Sequence, residues 1–160
     1  MIEREVTRRQ NSEQQRAKAA WGNIQNVKGL TPKEQKEYRS LARGVNAMIQ
    51  INGLGQTLGF LHAKGGQKWQ EKHEKNAHYY LLSHLTSWMH SRFTETIAEV
   101  TLDRNEGLLN WILEVASSAD YRRATTECLA FGGWLSRFAE AELKGSDTSS
   151  PNSVSGQGGV

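Results

Sequence analysis

A chain of 160 residues with 37% hydrophobic and 23% charged positions is long enough to bury one core without help from disulfides or metal, and its lone cysteine, Cys128, agrees with a reducing compartment. No apolar run reaches the length of a membrane span, and "IEREVTRRQ" after Met1 lacks the apolar core of a signal peptide, so no membrane is expected and a cytoplasmic protein is. The net charge of +3 is unevenly spread: residues 1–92 hold 15 Lys and Arg against 7 Asp and Glu, residues 93–160 hold 5 against 10, a split that fits an anionic partner or self-association of opposite ends.

Pro32 and Pro151 are the only prolines, and few strand signals compete with the helical periodicity. The expected fold is all-α, a single compact helical bundle of about five to seven helices. It should occupy residues 1–144, with residues 1–15 frayed and residues 145–160 a flexible Ser/Gly-rich tail.

Ala17, Ala20, Trp21, Ile24 and Val27 recur at helical spacing and predict a first helix over residues 16–28, ended by Gly29. "TPKE" supplies the next start, with Thr31 as N-cap, Pro32 at the first helical position and Glu34 completing a capping box. Leu41, Val45, Met48, Ile49 and Asn52 share a face of that helix, and Asn52-Gly53 reads as its C-cap. Gly53, Gly55 and Gly59 within "MIQINGLGQTLGFL" raise the question of a phosphate-cradling loop. The spacing is one residue too long for the dinucleotide fingerprint, and no strand precedes it. Gly53 is better read as a helix stop, with Gly55 and Gly59 letting a neighbouring backbone approach a short Leu54, Leu58, Leu61 helix that Gly65-Gly66 ends.

A further unit is predicted over residues 67–91, with Tyr80 or Leu81, Leu85, Trp88 and Met89 on its apolar side and Lys68, Glu71, Lys72 and Lys75 elsewhere. Phe93, Ile97 and Val100 hint at a weak helix. Asp103 or Asn105 could cap the next one, whose face is Leu109, Ile112, Leu113 and Ala116. The last helix starts after Ser117 and Ser118 and ends near Lys144, with Tyr121, Ala124, Cys128, Phe131, Leu135 and Phe138 at alternating steps of three and four. Gly132-Gly133 in its middle asks for close packing or a bend.

No catalytic constellation emerges. His78, His84 and His90 are six residues apart and cannot share a helix face, there is no second cysteine, and Cys128 lies on an apolar seam, so neither a metal nor a cofactor is expected. Nothing assembles a nucleophile, a base and an oxyanion donor, and the chain reads as no enzyme. The basic residues are the candidates: Arg39 and Arg43 on one face, Lys68, Lys72 and Lys75 on another, and Arg122 and Arg123 opening the last helix. Such rows neutralise phosphates without reading bases.

Three stretches taken together go further: "RAKAAWGNIQNVKG" (residues 16–29), "EYRSLARGVNAMIQINGLGQTLGFLHAKG" (37–65) and "YRRATTECLAFGGWLSRFAEAEL" (121–143). Together they make the chain resemble the small all-helical subunit of the Cmr complex, the type III-B CRISPR effector. The resemblance implies a non-catalytic protein that stacks in several copies beside the backbone subunits, which hold the guide RNA, and lines the channel for single-stranded target RNA. RNA cleavage would belong to the backbone subunit, and nucleotide cyclisation and DNA cleavage to the large subunit. Arg39, Arg43, Arg122 and Arg123 lie inside the resembling stretches and become RNA contacts on this reading, with Lys68, Lys72 and Lys75 as further candidates. Glu140 and Glu142 become candidates for contact between copies. The chain departs from the family pattern at Asn46, where proline is expected, and at Gly59 and Gly132-Gly133, where bulkier residues are. A helical adaptor that binds only protein is the alternative, and a small enzyme a more remote one.

Overall fold

Two long helices joined by a tight turn open the computed structural model, which describes residues 2–93 and 107–145, with side chains from residue 11 onward. The first, α1, spans Ile2–Lys28 and so begins well before the apolar stripe that starts at Ala17. Glu, Arg and Gln favour helix even where no core faces them, and the polar stretch continues the helix for that reason. The second, α2, spans Pro32–Asn52 and starts as its sequence requires: Thr31 accepts from the Glu34 amide at 3.3 Å, and the Glu34 carboxylate accepts from the Thr31 amide at 3.1 Å. Gly53 ends it with φ at 88°, a conformation that a side chain would resist.

Next comes α3 (Leu54–Leu61), which does not stop at Gly65-Gly66 as its sequence suggests. A π-helical turn, His62–Gly66, carries it directly into α4 (Gln67–Lys72). Here glycine supplies room rather than a break. A Cβ on Gly65 would fall on the Tyr79 backbone nitrogen, so the close backbone approach expected at Gly55 and Gly59 occurs at Gly65 instead. Gly59 has open space around it, and Gly55 donates its amide to the Tyr121 hydroxyl at 3.1 Å.

The unit predicted over residues 67–91 is two helices. His73 adopts the left-handed conformation, φ 53°, and terminates α4. Asn76 then caps α5 (Ala77–Arg92) by accepting from the Tyr79 amide at 2.9 Å, and it donates to the Lys64 carbonyl of the π-turn at 2.7 Å. Ile97, Val100 and the Asp103 or Asn105 cap lie outside the described residues. A short α6 (Gly107–Glu114) buries Leu108, Leu109, Trp111 and Ile112 but leaves Leu113 64% exposed, because its apolar residues are too dense for one face to take all of them. The last helix, α7, spans Ser118–Glu142 with Ser117 as N-cap, and no strand occurs among the described residues.

The core is built on α7, whose Ala124, Cys128, Phe131, Leu135 and Ala139 are buried against α1, α2 and α5. It runs antiparallel to α2: Tyr121 meets Gly55, Asn46 donates to the Leu129 carbonyl at 2.9 Å, and Gln35 accepts from the Lys144 amide at 3.3 Å. It runs parallel to α1, with Trp21 edge-on to Phe138 at 5.2 Å. The buried Gln35 also donates to the Lys28 and Leu30 carbonyls, both at 3.0 Å, so one side chain satisfies the end of α1 and the end of α7. Trp88 of α5 stacks on Phe131 at 5.0 Å.

Asn46 and Gly132, where the resemblance led proline and a bulkier residue to be expected, meet in this packing. A Cβ on Gly132 would fall on the Asn46 Oδ1, so the absence of a side chain on α7 makes the space that the Asn46 amide occupies. Asn46 also keeps the backbone amide that proline would lack, and α2 runs through it unbroken.

The glycines make opposite predictions. Gly59→Ala places a methyl group in open space inside a helix and should stabilise by about 0.5–1 kcal/mol, raising Tm by a few degrees. Gly65→Ala must push the start of α5 away and should lower Tm by more than that. Thermal melts of both variants check the pair.

Candidate nucleic-acid interface

The basic residues named from the sequence fall into separate places. Arg39 and Arg43 line one groove of about 460 Å³ with Lys36, Ser40, Gly44 and Gly145, between α2 and the end of α7. Arg43 pairs with Glu140 of α7 at 2.9 Å, an exposed contact that solvent screens. Arg39 is half-buried, its guanidinium against Gly145.

Arg122 and Arg123 lie at the opposite end of α7, in a cleft of about 390 Å³ that also involves Arg92, Phe93, Thr126 and Glu127. Arg123 lies over the Phe93 ring at 5.2 Å and 3.8 Å from Asp120, whereas the exposed Arg122 guanidinium has no partner among the described residues. At 1.5 Å per residue, the two arginine pairs are roughly 25 Å apart along α7. They cannot hold one phosphate together. Arg92 joins the second cleft without having been singled out from the sequence, since α5 alone offers no pattern that points to it.

Lys68 and Lys72 are exposed on α4, and Lys75 follows the His73 break. Burial lowers the His78 pKa; Glu37 opposes this, while Lys64 and Lys68 add to it, which places both lysines within electrostatic reach of His78. The acidic candidates are engaged within the chain: Glu140 with Arg43, and Glu142 with Lys28 at 2.8 Å.

Under the Arg92 cleft lies a carboxylate that local spacing does not reveal. Glu127 accepts from Arg16 Nε at 2.8 Å and from a second guanidinium nitrogen at 2.9 Å, and from Trp88 Nε1 at 2.9 Å, with Arg92 at 3.7 Å. Burial alone would raise its pKa. The hydrogen bonds from Arg16 and Trp88 and the charges of Arg16 and Arg92 outweigh that and hold it below the ordinary carboxylate range.

Two groups with catalytic chemistry are engaged in the core. Cys128 is fully buried, which pushes its thiol pKa up and keeps it protonated. The His84 Nδ1 sits 2.7 Å from the Tyr38 hydroxyl, and burial lowers the His84 pKa to about 4. Among the described residues no cluster of three His, Cys, Asp or Glu could hold a metal ion, and no helix is long and apolar enough to cross a membrane.

Residues 12–142 match the family model described as CRISPR-associated protein (Cas_Cmr5). The chain belongs to the Cmr5 family. A crystal structure of a CRISPR-associated Cmr5 family protein from Thermus thermophilus is similar in fold, with a TM-score of 0.62 at 24% identity over 82% of this chain and 96% of that one. Membership makes the chain a small subunit of a type III-B CRISPR assembly, associated with other Cmr subunits. All three stretches that carried the resemblance lie within the matched residues, apart from Leu143 at the edge.

Glu127 and His84 each lend themselves to a stability measurement. Glu127→Leu strands Arg16 and the Trp88 indole and should cost about 3 kcal/mol, and adding Arg16→Met should recover part of that loss, as a denaturant titration would show. His84 is depressed from 6.5 to about 4, so the unfolded chain takes up a proton first as pH falls. Its stabilising contribution is complete above pH 6.5 and is lost progressively down to about pH 4. Glu127, also depressed, adds a loss that begins as pH falls through the ordinary carboxylate range and continues to its lowered value. Melting temperatures between pH 7.5 and 4.5 should fall for the wild type and be flatter for His84→Gln.

Proposed function

We propose that this Cmr5-family chain is a non-catalytic subunit that stacks in several copies along its ribonucleoprotein and lines the target-RNA channel by backbone contacts. One observation carries this reading: its candidate arginines line two clefts, one toward each end of α7. The charge these arginines bring suits phosphate contact, with guide pairing supplying the specificity. The burial of Cys128 and the Tyr38 contact of His84 support a structural role for the two groups best suited to chemistry.

Contact between copies is the second element of the proposal. Glu140 and Glu142 remain its acidic candidates, at 47% and 25% side-chain exposure. Each is paired with a partly exposed cation, Arg43 or Lys28, so a neighbouring copy would meet both signs of charge at either position. Such head-to-tail contacts can repeat without closing.

A purely protein-binding adaptor is favoured by one observation, the Arg43–Glu140 pair, which occupies a candidate RNA contact within the fold. The two readings separate when Arg39, Arg43, Arg122 and Arg123 are each changed to Gln. For RNA contacts, the reconstituted complex should lose about 0.7 in the magnitude of its salt slope per residue, equally for all target sequences. Loss of thermal stability in the free subunit at an unchanged slope would assign the residue to the fold.

A further inference from the structure

Trp69 of α4 and Tyr79 of α5 are both half-buried, with ring centroids 5.5 Å apart and planes tilted by 47°. The His73 ring stands edge-on to Trp69 at 5.2 Å, and Tyr80 edge-on to Tyr79 at 5.6 Å. The Lys75 ammonium lies 5.0 Å from the centre of Trp69 and 5.8 Å from that of Tyr79. Trp111 and Trp88 are buried in the core, whereas Trp134 is half-buried and Trp21 is 43% exposed. This ring group stays at the surface.

Two uncommon backbone conformations bracket it, the π-turn His62–Gly66 before Trp69 and the left-handed His73 after it. The π-turn packs its buried Gly65 and Gly66 toward the start of α5, whereas α4 itself has no buried residue. Single π-turns within helices are frequent at functional sites. Around the rings, Lys64, Lys68, Lys72 and Lys75 are all exposed within one short segment.

We propose that the Trp69–Tyr79 pair is a stacking platform for an unpaired RNA base, with Lys75 and the Lys68–Lys72 row on the flanking phosphates. This rests on the RNA-binding reading above and adds base contact to it. Aromatic rings beside a basic row are how single strands are held without sequence preference, because every base has a π face. The Lys75 contact is an exposed cation–π interaction, weak enough for an incoming base to displace the ammonium onto a phosphate. The rings and lysines thus supply the two elements of single-strand binding, stacking and charge, in one place.

The test uses the full chain and two oligomers of equal length and charge, single-stranded oligoadenylate and its abasic counterpart. The base-bearing strand should bind at least about fivefold tighter. Trp69→Ala should bring the two strands to parity at an unchanged salt slope, while Trp69→Phe, which keeps a ring, should retain most of the preference. Changing Lys68 and Lys72 together to Gln should lower the slope and preserve the ratio. Equal wild-type affinity for the two strands, with salt-dependent binding intact, overturns the platform and leaves the phosphate-contact reading standing. No salt-dependent binding of either strand overturns both. Loss of association with neighbouring Cmr subunits in Trp69→Ala, at an unchanged strand ratio, assigns the rings to a protein contact and overturns the platform as well.

Discussion

Where α1, α5 and α7 converge, the Glu127 carboxylate gives up part of its water and receives both prongs of the Arg16 guanidinium and the Trp88 indole in return. A charge half inside a bundle tolerates little displacement, since each hydrogen bond lost leaves it undersolvated. The contact therefore fixes more than the apolar seams could. Leucine and alanine surfaces permit sliding by a turn, whereas a forked pair with a third donor permits one register. From that register follow the stacking of Trp88 on Phe131 and the approach of Arg92 to the second cleft.

Local chemistry was legible wherever it acts over one or two turns. The Thr31–Glu34 box, the Gly53 stop, the Ser117 cap and the Ala124, Cys128, Phe131, Leu135 seam are all matters of spacing, and spacing is what a sequence displays. The Glu127–Arg16 contact spans 111 residues of chain and has no local signature. The π-turn at Gly65 misled for a related reason. Two adjacent glycines permit a break and equally permit a close approach, and only the position of Tyr79 decides between them. His73 hid its break because no glycine or proline marks the position, although Asn76 was there to be read as a cap. Of the candidate interface, the identity of the basic residues was legible, but not their division between two distant clefts, which depends on how α7 lies across α2.

The charge asymmetry of the sequence shows the same dependence. A basic first part and an acidic second part suggest a molecule with two electrostatic ends. Folding lays the last helix along the first two, so that Lys28 meets Glu142 and Arg43 meets Glu140. Part of the segregation written along the chain is thereby paired off in space. What remains basic is local: the Arg122 side of one cleft, the Arg39 groove and the lysines around Trp69.

Asn46 and Gly132 bear on how this sequence could have arisen. Their side-chain volumes share one space between α2 and α7, so the two positions are not free to drift independently. A bulkier residue at 132 is incompatible with the amide as it stands at 46, whereas glycine at 132 tolerates many neighbours. The passable order is therefore loss of the side chain on α7 first and acquisition of asparagine on α2 second. Among relatives, asparagine at the first position should be found chiefly together with glycine at the second, a covariation imposed by sterics rather than by any shared ligand.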